Sequence, residues 1–599
     1  MILTLIDWTI IAVFFFIVLL IGVIASRSAG KNMTEYFLGG RGMPWWLLGV
    51  SMVACTFSAD TPNLVTDMVR ESGVARNWAW WAFLITGMVT VFIYAKLWRR
   101  SNVMTDLGFY EIRYSGKPAS FLRGFRAVYL GVFFNVLIMA SVTLAAIKIG
   151  AVMFDLKPLI TVLISSIVVV VYTSLGGLKG VIWADFFQYS IATFGAILAA
   201  VVALQQPEVG GLSQLISNPA IADKLSFLPD FNDRSVLITL FIIPIAVQWW
   251  SVWYPGAEPG GGGYIAQRMI SAKDEKNAIG ATLFFNFMHY AIRPWPWIIV
   301  ALASLLIYPD LESIRVQFPN LPENYLRNDI AYPIMLLKLS PGWLGLVIAS
   351  LIGAYMSTIG THLNWGASYV VNDFYKRFIN KEASEKKLVA TARATTIALM
   401  LFSGLIALTV MENAGQAFNI LLLTGAGSGA IYLLRWFWWR VNAWSEISAM
   451  IVSTLNAIIL IFVVDDIYLT NTFMDIFTTK LVLSVFITSI VWVLVTYLTK
   501  PEDEKILISF SKLIRAGGPG WAKIRKIREM QGEEQETTPW EMPIQILCVF
   551  IGCVVVYSAL FAIGSFLYAN YWQGIILSSF SVVGIIALFK FFNKLNADK

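Results

Sequence analysis

Apolar runs of about 20 residues recur along the whole chain, and a helix of that length crosses the hydrocarbon core of a bilayer. The runs are continuous rather than alternating with a period of two, which excludes a β-barrel. They predict about fifteen helical spans, near residues 5–26, 43–69, 76–98, 124–154, 158–176, 181–205, 235–255, 277–308, 341–371, 386–411, 416–439, 443–465, 476–498, 542–567 and 573–592. The first run carries Asp7 and lacks a basic start, so it reads as a retained span rather than a cleaved signal.

Polar residues interrupt these runs in particular places. In the ninth span, Ser357, Thr358 and Thr361 occupy i, i+1 and i+4 and crowd one side of a helix. Such a cluster can contribute oxygens to the shell of a hard cation, or it can bond to the preceding turn and glue helices together. On these residues alone both readings stay open. The second span holds small and polar residues from Ser51 to Thr61, then Pro62, with Asp60 near mid-membrane. A helix break there frees carbonyls, and unwound backbone is tolerated at that depth only beside a cavity. In the sixth span Asp185 and Gln188 lie one turn apart, and Asp185 serves either a cation path or a pairing with an interfacial Lys or Arg. Five glycines and two prolines between Pro255 and Gly263 end the seventh span without a helix. His289 and Arg293 lie four apart in the eighth, where Arg293 is expected to snorkel. Trp78, Trp80 and Trp81 read as an interfacial belt.

Composition agrees with the pattern. The 599 residues are 58% hydrophobic and 14% charged, with mean hydropathy +0.70, whereas charged residues make up about a quarter of an average soluble chain. The net charge of +7 lies in alternate loops and is a topological signal, not a nucleic-acid one. Basic loops follow the first, third, seventh (Arg268, Lys273, Lys276) and ninth spans, and the loops between are acidic or neutral. The positive-inside rule then puts the N-terminus outside and the C-terminus in the cytoplasm of a multi-pass protein of the plasma (inner) membrane. The polar insert 500–541 carries Ile506, Leu507, Phe510, Leu513 and Ile514 at helical spacing, which predicts an amphipathic helix on the membrane surface. Three cysteines inside apolar runs suggest neither disulfides nor a zinc site. With no P-loop, no metal-ligand spacing and no nucleophile–base constellation, neither an ATP-driven pump nor an enzyme is expected.

Four segments carry a resemblance: EYFLGGRGMPWWLLGVSMVACTFSA, GGLKGVIWADFFQ, YIAQRMISAKDEKNA and AYMSTIGTHLNWGASYVVNDFYKRF. In this order the chain resembles the sodium:solute symporters, the family of sodium/glucose, sodium/proline and sodium/sialic acid carriers. The resemblance implies an all-α polytopic protein with a LeuT-type 5+5 inverted-repeat fold. Residues 1–30 would be an extra N-terminal helix, 43–205 and 235–439 the two five-helix repeats, and 443–498 additional spans. Residues 500–541 would be a cytoplasmic loop, and 542–599 two C-terminal spans.

The resemblance further implies a sodium ion, Na+, held by the carbonyls of Ala54, Phe57 and Ala354 and the hydroxyls of Ser357 and Thr358. Some members hold a second sodium on the equivalents of Asp185, Gly360 and Thr361. Because Gly360 brings no hydroxyl, Asp185 and Thr361 are carried only as a second site or release path. The implied activity is import of a small organic solute, a sugar or sugar-like one favoured, driven by the sodium gradient through alternating access. Solute would bind near Asp60, Thr61, Trp80, Gln248 and His289. An amino acid or carboxylate is the alternative cargo, since the sugar carriers' acidic–amide pair is here Asp60–Thr61. A sodium-dependent sensor or channel is the alternative of another class.

Overall fold

Inside a bilayer every backbone N–H and C=O has to be satisfied within the chain, and the described residues answer with helices and only two isolated bridges. The structure, a computed structural model, describes residues 3–597 apart from 57, 155, 254–255, 412–413, 471, 516 and 533–539. In chain order we label α1 (Leu5–Ala29), α2 (Trp45–Thr56), α3 (Asp60–Ser72), α4 (Val74–Ser101), α5 (Gly116–Phe154), α6 (Pro158–Leu204) and α7 (Arg234–Ser251). There follow α8 (Gly263–Ser271), α9 (Glu275–Ile307), α10 (Trp343–Ile379), α11 (Glu385–Thr409), α12 (Ala414–Gly425) and α13 (Gly429–Leu434). The last are α14 (Ala443–Phe462), α15 (Ile476–Leu498), α16 (Glu504–Ile514), α17 (Ala522–Met530), α18 (Met542–Leu567) and α19 (Tyr571–Phe591).

Among the described residues, 12 helices are long and apolar enough to cross a membrane. The further spans expected from the sequence are present in altered form. α6 joins two of them at Gly177, where φ 54° and ψ −160° bend the chain; a Cβ there would lie 2.7 Å from the Tyr36 carbonyl oxygen. The second span is divided into α2 and α3, as its small and polar residues predict, and the eleventh into α12 and α13.

α6 packs along α10 and α1, and α2 lies against α6, α9 and α10. α18 pairs with α19 outside this core and leans on α4 and α9. Asp7 is fully buried and caps the start of α10: its Oδ1 accepts from the Gly342 and Gly345 N–H groups at 2.7 and 2.8 Å. Its Oδ2 accepts from Thr4 N and Oγ1 at 2.8 and 2.6 Å. A lone acidic residue in the first span is therefore a cap between helices.

The end of the bundle that bears the basic loops is closed by buried charge. Arg113 donates to the carbonyls of Arg435, Trp438 and Val441 at 2.8–3.1 Å. Arg126 and Arg435 each lie 3.5 Å from Glu446, which also accepts from Tyr114 Oη at 2.6 Å. Glu258, in the glycine-rich stretch, lies 3.9 Å from Arg435. α16 is amphipathic as predicted, but it does not lie free on the membrane surface. Leu507, Phe510 and Ile514 are buried, with the Phe510 ring 5.5 Å from Phe109 and 5.8 Å from Trp436. The aromatic underside of the bundle offers α16 the apolar contact that the sequence reading assigned to lipid.

Candidate functional site

The break between α2 and α3 faces the middle of α10. α2 ends at Thr56 and α3 begins at Asp60, so the last carbonyls of α2 have no following turn to take them. Side chains supply partners. Thr358 Oγ1 on α10 donates to the Cys55 carbonyl at 3.2 Å, and Arg293 Nη1 on α9 donates to the Val53 carbonyl at 2.7 Å. Arg293 is thus buried against α2 and does not snorkel, because the broken helix end gives it an acceptor inside the protein. Ala54 and Ala354 are both buried, on α2 and α10 respectively. Phe57 lies outside the described residues.

Ser357, one residue earlier on α10, donates from Oγ to Asp185 Oδ1 at 2.6 Å. The other oxygen, Oδ2, accepts from Ser51 Oγ at 2.5 Å. A hydroxyl whose proton is committed to an acceptor keeps its lone pairs for another partner, and this holds for both Ser357 and Thr358.

Asp185 itself is paired with Arg268. Arg268 Nη2 is 3.7 Å from Asp185 Oδ2 and donates to Thr361 Oγ1 at 2.7 Å, and Nε reaches Ser51 Oγ at 3.2 Å. Both charged groups are wholly buried. The sequence counted Arg268 among loop charges; in the fold it lies on α8, returned into the core by the glycine-rich stretch. Gly360 is occupied from the other side, since a Cβ there would stand 2.1 Å from Tyr172 Oη, which donates to the Met356 carbonyl at 2.6 Å.

Next to the break is a cavity of about 120 Å³. Asp60, Thr61, Trp80 and His289 line it together with Cys55, Thr358, Gly256, Tyr264, Tyr290 and His362. Four of the five predicted solute residues therefore share one space. Asp60 Oδ2 accepts from Ser141 at 3.4 Å, and Thr61 Oγ1 accepts from the Ser58 N–H at 3.3 Å within the break. Trp80 stacks on Tyr290 with ring centroids 5.8 Å apart and meets His289 edge-on at 5.5 Å. His289 and Tyr290 lie in a single π-helical turn, Met288–Ile292, just before Pro294, an irregularity frequent at functional sites.

Gln248 is placed elsewhere. It donates to the Ala79 carbonyl at 2.6 Å and lines a second, larger cavity of about 700 Å³ at the end bearing the acidic loops, together with Asp67, Glu71, Asp466 and Lys480. Leu64 and Phe418 line both cavities. Trp78 and Trp81 are buried, Trp78 against Tyr557 and Trp81 against Phe561, so these two do not form an interfacial belt. The sequence reading missed Arg268, Ser51, Tyr264 and a role for His362; the only signal for them was a polar residue in or beside a predicted span.

Residues 36–453 match the family model described as the Sodium:solute symporter family. The chain is 25% identical over 480 residues to the sodium/glucose cotransporter of Vibrio parahaemolyticus, covering 77% of this chain and 86% of that one. It is 25% identical over 451 residues to the sodium/sialic acid symporter of Proteus mirabilis, covering 73% and 85%. Sodium/glucose cotransporter 1 of Oryctolagus cuniculus is 25% identical over 472 residues, covering 73% and 69%. The fold matches the substrate-bound outward-open structure of a Na+-coupled sialic acid symporter with TM-score 0.66 and 22% identity, over 84% of this chain and 99% of that one.

Proposed function

The chain belongs to the sodium:solute symporter family, has its LeuT-type fold and is a sodium-coupled carrier rather than an enzyme; from that premise we propose that it imports a neutral, hydroxyl-rich solute of sugar-like size, with one sodium ion held where α10 crosses the break between α2 and α3. The observation that carries this reading is the cavity beside that crossing. Among its described lining residues are one carboxylate and no Lys or Arg. A carboxylate solute would find no counter-charge there, whereas hydroxyls find Asp60, Thr61 and two imidazoles.

The sodium ligands in this reading are the Ser357 and Thr358 hydroxyls and the carbonyls of Ala54, Phe57 and Ala354. What supports them is that the protons of both hydroxyls already go to Asp185 and the Cys55 carbonyl, leaving oxygen lone pairs for a hard cation. Sodium bound there joins α2 to α10. Solute bound in the adjoining cavity touches Thr358 and Cys55 of the same joint, so each ligand strengthens the other, a reciprocal linkage of typically about 1–3 kcal/mol. One charge falling through 100 mV adds roughly 2.3 kcal/mol of drive. Asp185 and Thr361, engaged by Arg268, line the way from this site toward the basic loops.

We place the repeats at residues 43–205 and 235–439, because the first span of each is broken, one at 57–59 and one at the glycine-rich stretch. We place the acidic-loop end outside a cell membrane and the basic-loop end in the cytoplasm, following the loop charges.

Uptake into proteoliposomes under an imposed sodium gradient tests the proposal, with D-glucose, D-mannose, N-acetylneuraminate and L-proline as probes. Sodium-dependent accumulation of a neutral sugar is expected; accumulation of only the acid or the amino acid overturns the solute reading. Ser357→Ala with Thr358→Ala should raise the sodium concentration for half-maximal uptake about tenfold or more, the loss of more than one charge-assisted contact. Unchanged sodium dependence would remove the site from these residues.

A further inference from the structure

The chain has two histidines, on different helices, and both line the inner cavity. Their outer nitrogens are held by partners of opposite kind. His289 Nδ1 lies 3.4 Å from Arg293 Nη1. A guanidinium only donates, so this Nδ1 accepts and the ring proton sits on Nε2. His362 Nδ1 lies 2.7 Å from Asn135 Oδ1. The Asn135 amide nitrogen is fixed by two carbonyls, His362 at 2.8 Å and Gly131 at 3.2 Å, so the atom facing the imidazole is oxygen. An amide oxygen only accepts; His362 Nδ1 therefore carries the proton, and in the neutral ring Nε2 is left with a lone pair. Turning the amide over would set its oxygen against two carbonyl oxygens.

From this arrangement we propose that His362 is a solute-binding residue, and that His289 and His362 read the solute as a fixed donor and a fixed acceptor. The inference rests on the symport reading and deepens it. A hydroxyl both donates and accepts, so a solute carrying two or more of them satisfies the donor on His289 and the acceptor on His362. A carboxylate satisfies only the first and is repelled by the lone pair of the second. An ammonium group satisfies only the second. His362 also stands one turn beyond Thr358 on α10, so a solute hydroxyl bonded to its Nε2 pulls on the helix that carries the sodium hydroxyls. Asn135, on α5, is the positioning residue that fixes the tautomer.

With two histidines in the chain, the ring nitrogens are observable one by one. Full-length protein labelled with ring-15N histidine and reconstituted in lipid should give solid-state spectra of two neutral imidazoles with opposite tautomers, His362 protonated at Nδ1 and His289 at Nε2. Each can be assigned by loss of its signal in His362→Phe or His289→Phe. Two rings of the same tautomer, or a doubly protonated His362, overturn the proposal.

Uptake of D-glucose and D-mannose supplies the second reading. His362→Phe keeps the ring and removes the acceptor, and should raise KM by about tenfold. His362→Gln, which retains an acceptor oxygen, should recover most of that loss. Sodium binding without solute, followed by tryptophan fluorescence, should be unchanged in both variants; a purely structural role for His362 would move it too. An unchanged KM in His362→Phe with normal sodium binding sinks the role of His362 and leaves the carrier intact. If the unsubstituted protein carries neither sugar while sodium still changes its fluorescence, the donor–acceptor reading falls. A wild-type protein that does not respond to sodium undermines the sodium site of the proposed function instead.

Discussion

Asp7 shows how one side chain can look functional in a sequence and prove structural. Its carboxylate takes four N–H and O–H donors and holds the start of α10 against α1. Asp7→Ala leaves those donors without an acceptor and should destabilise the protein by about 1–3 kcal/mol, seen as a lower Tm in detergent with unaltered sodium half-saturation. Glu111, in the loop between α4 and α5, gives a pH dependence. Burial pushes its carboxyl up, but Arg123 at 2.5 Å and then Arg377 at 2.9 Å outweigh this and hold it below the ordinary value. A lowered folded-state pKa means that its stabilisation is complete above the unfolded value, about 4.3, and is lost as pH falls through the lower folded one. Tm should therefore drop more steeply between about pH 5 and pH 3 in the native protein than in Glu111→Gln. Ser357, Thr358 and Asp60 were legible because a polar group within an apolar run announces itself. Arg268 was not, because a basic residue beside a span reads as a loop charge until the glycine-rich stretch is seen to turn it inward.

Helices were legible wherever apolar runs were long, and their interruptions wherever Pro, Gly or hydroxyl residues gathered. What packs against a helix was harder to read. The period of α16 was plain, yet lipid and an aromatic underside offer the same apolar contact, and only the fold chooses between them. Close approach of elements was also hidden in the sequence. α10 passes α6 at Gly360, where Tyr172 leaves no room for a methyl group. Gly360→Ala should destabilise by about 1–3 kcal/mol through overpacking. Because the 2.1 Å contact is to the hydroxyl and the ring carbon behind it is at 3.0 Å, adding Tyr172→Phe should recover part of the loss. Thermal unfolding of the single and double variants measures this; equal Tm values for the two would contradict the packing.

At the scale of the molecule the two ends differ: one is held shut by Arg113, Arg126, Arg435, Glu258 and Glu446, and the other contains the larger cavity. Glu446→Gln removes the carboxylate shared by two buried guanidiniums, a change that costs about 3–5 kcal/mol when a buried pair is broken. It should favour opening at the basic-loop end. Cys55 lines the inner cavity and reports on this: with Cys548 and Cys553 changed to serine, a membrane-impermeant thiol reagent applied from that end should label it several-fold faster in Glu446→Gln. Equal labelling rates would mean that the charge cluster does not hold that end closed. The opposite barrier is of another kind, since Leu64 and Phe418 belong to the walls of both cavities and the partition is one side chain thick. The two barriers therefore run on different clocks. A ring or a leucine changes rotamer within nanoseconds, whereas parting a buried ionic cluster and moving helices takes microseconds to milliseconds. A solute can enter and leave the inner cavity from the acidic-loop side many times before the other end opens once, so its occupancy is at equilibrium with that side while the slow step sets the turnover.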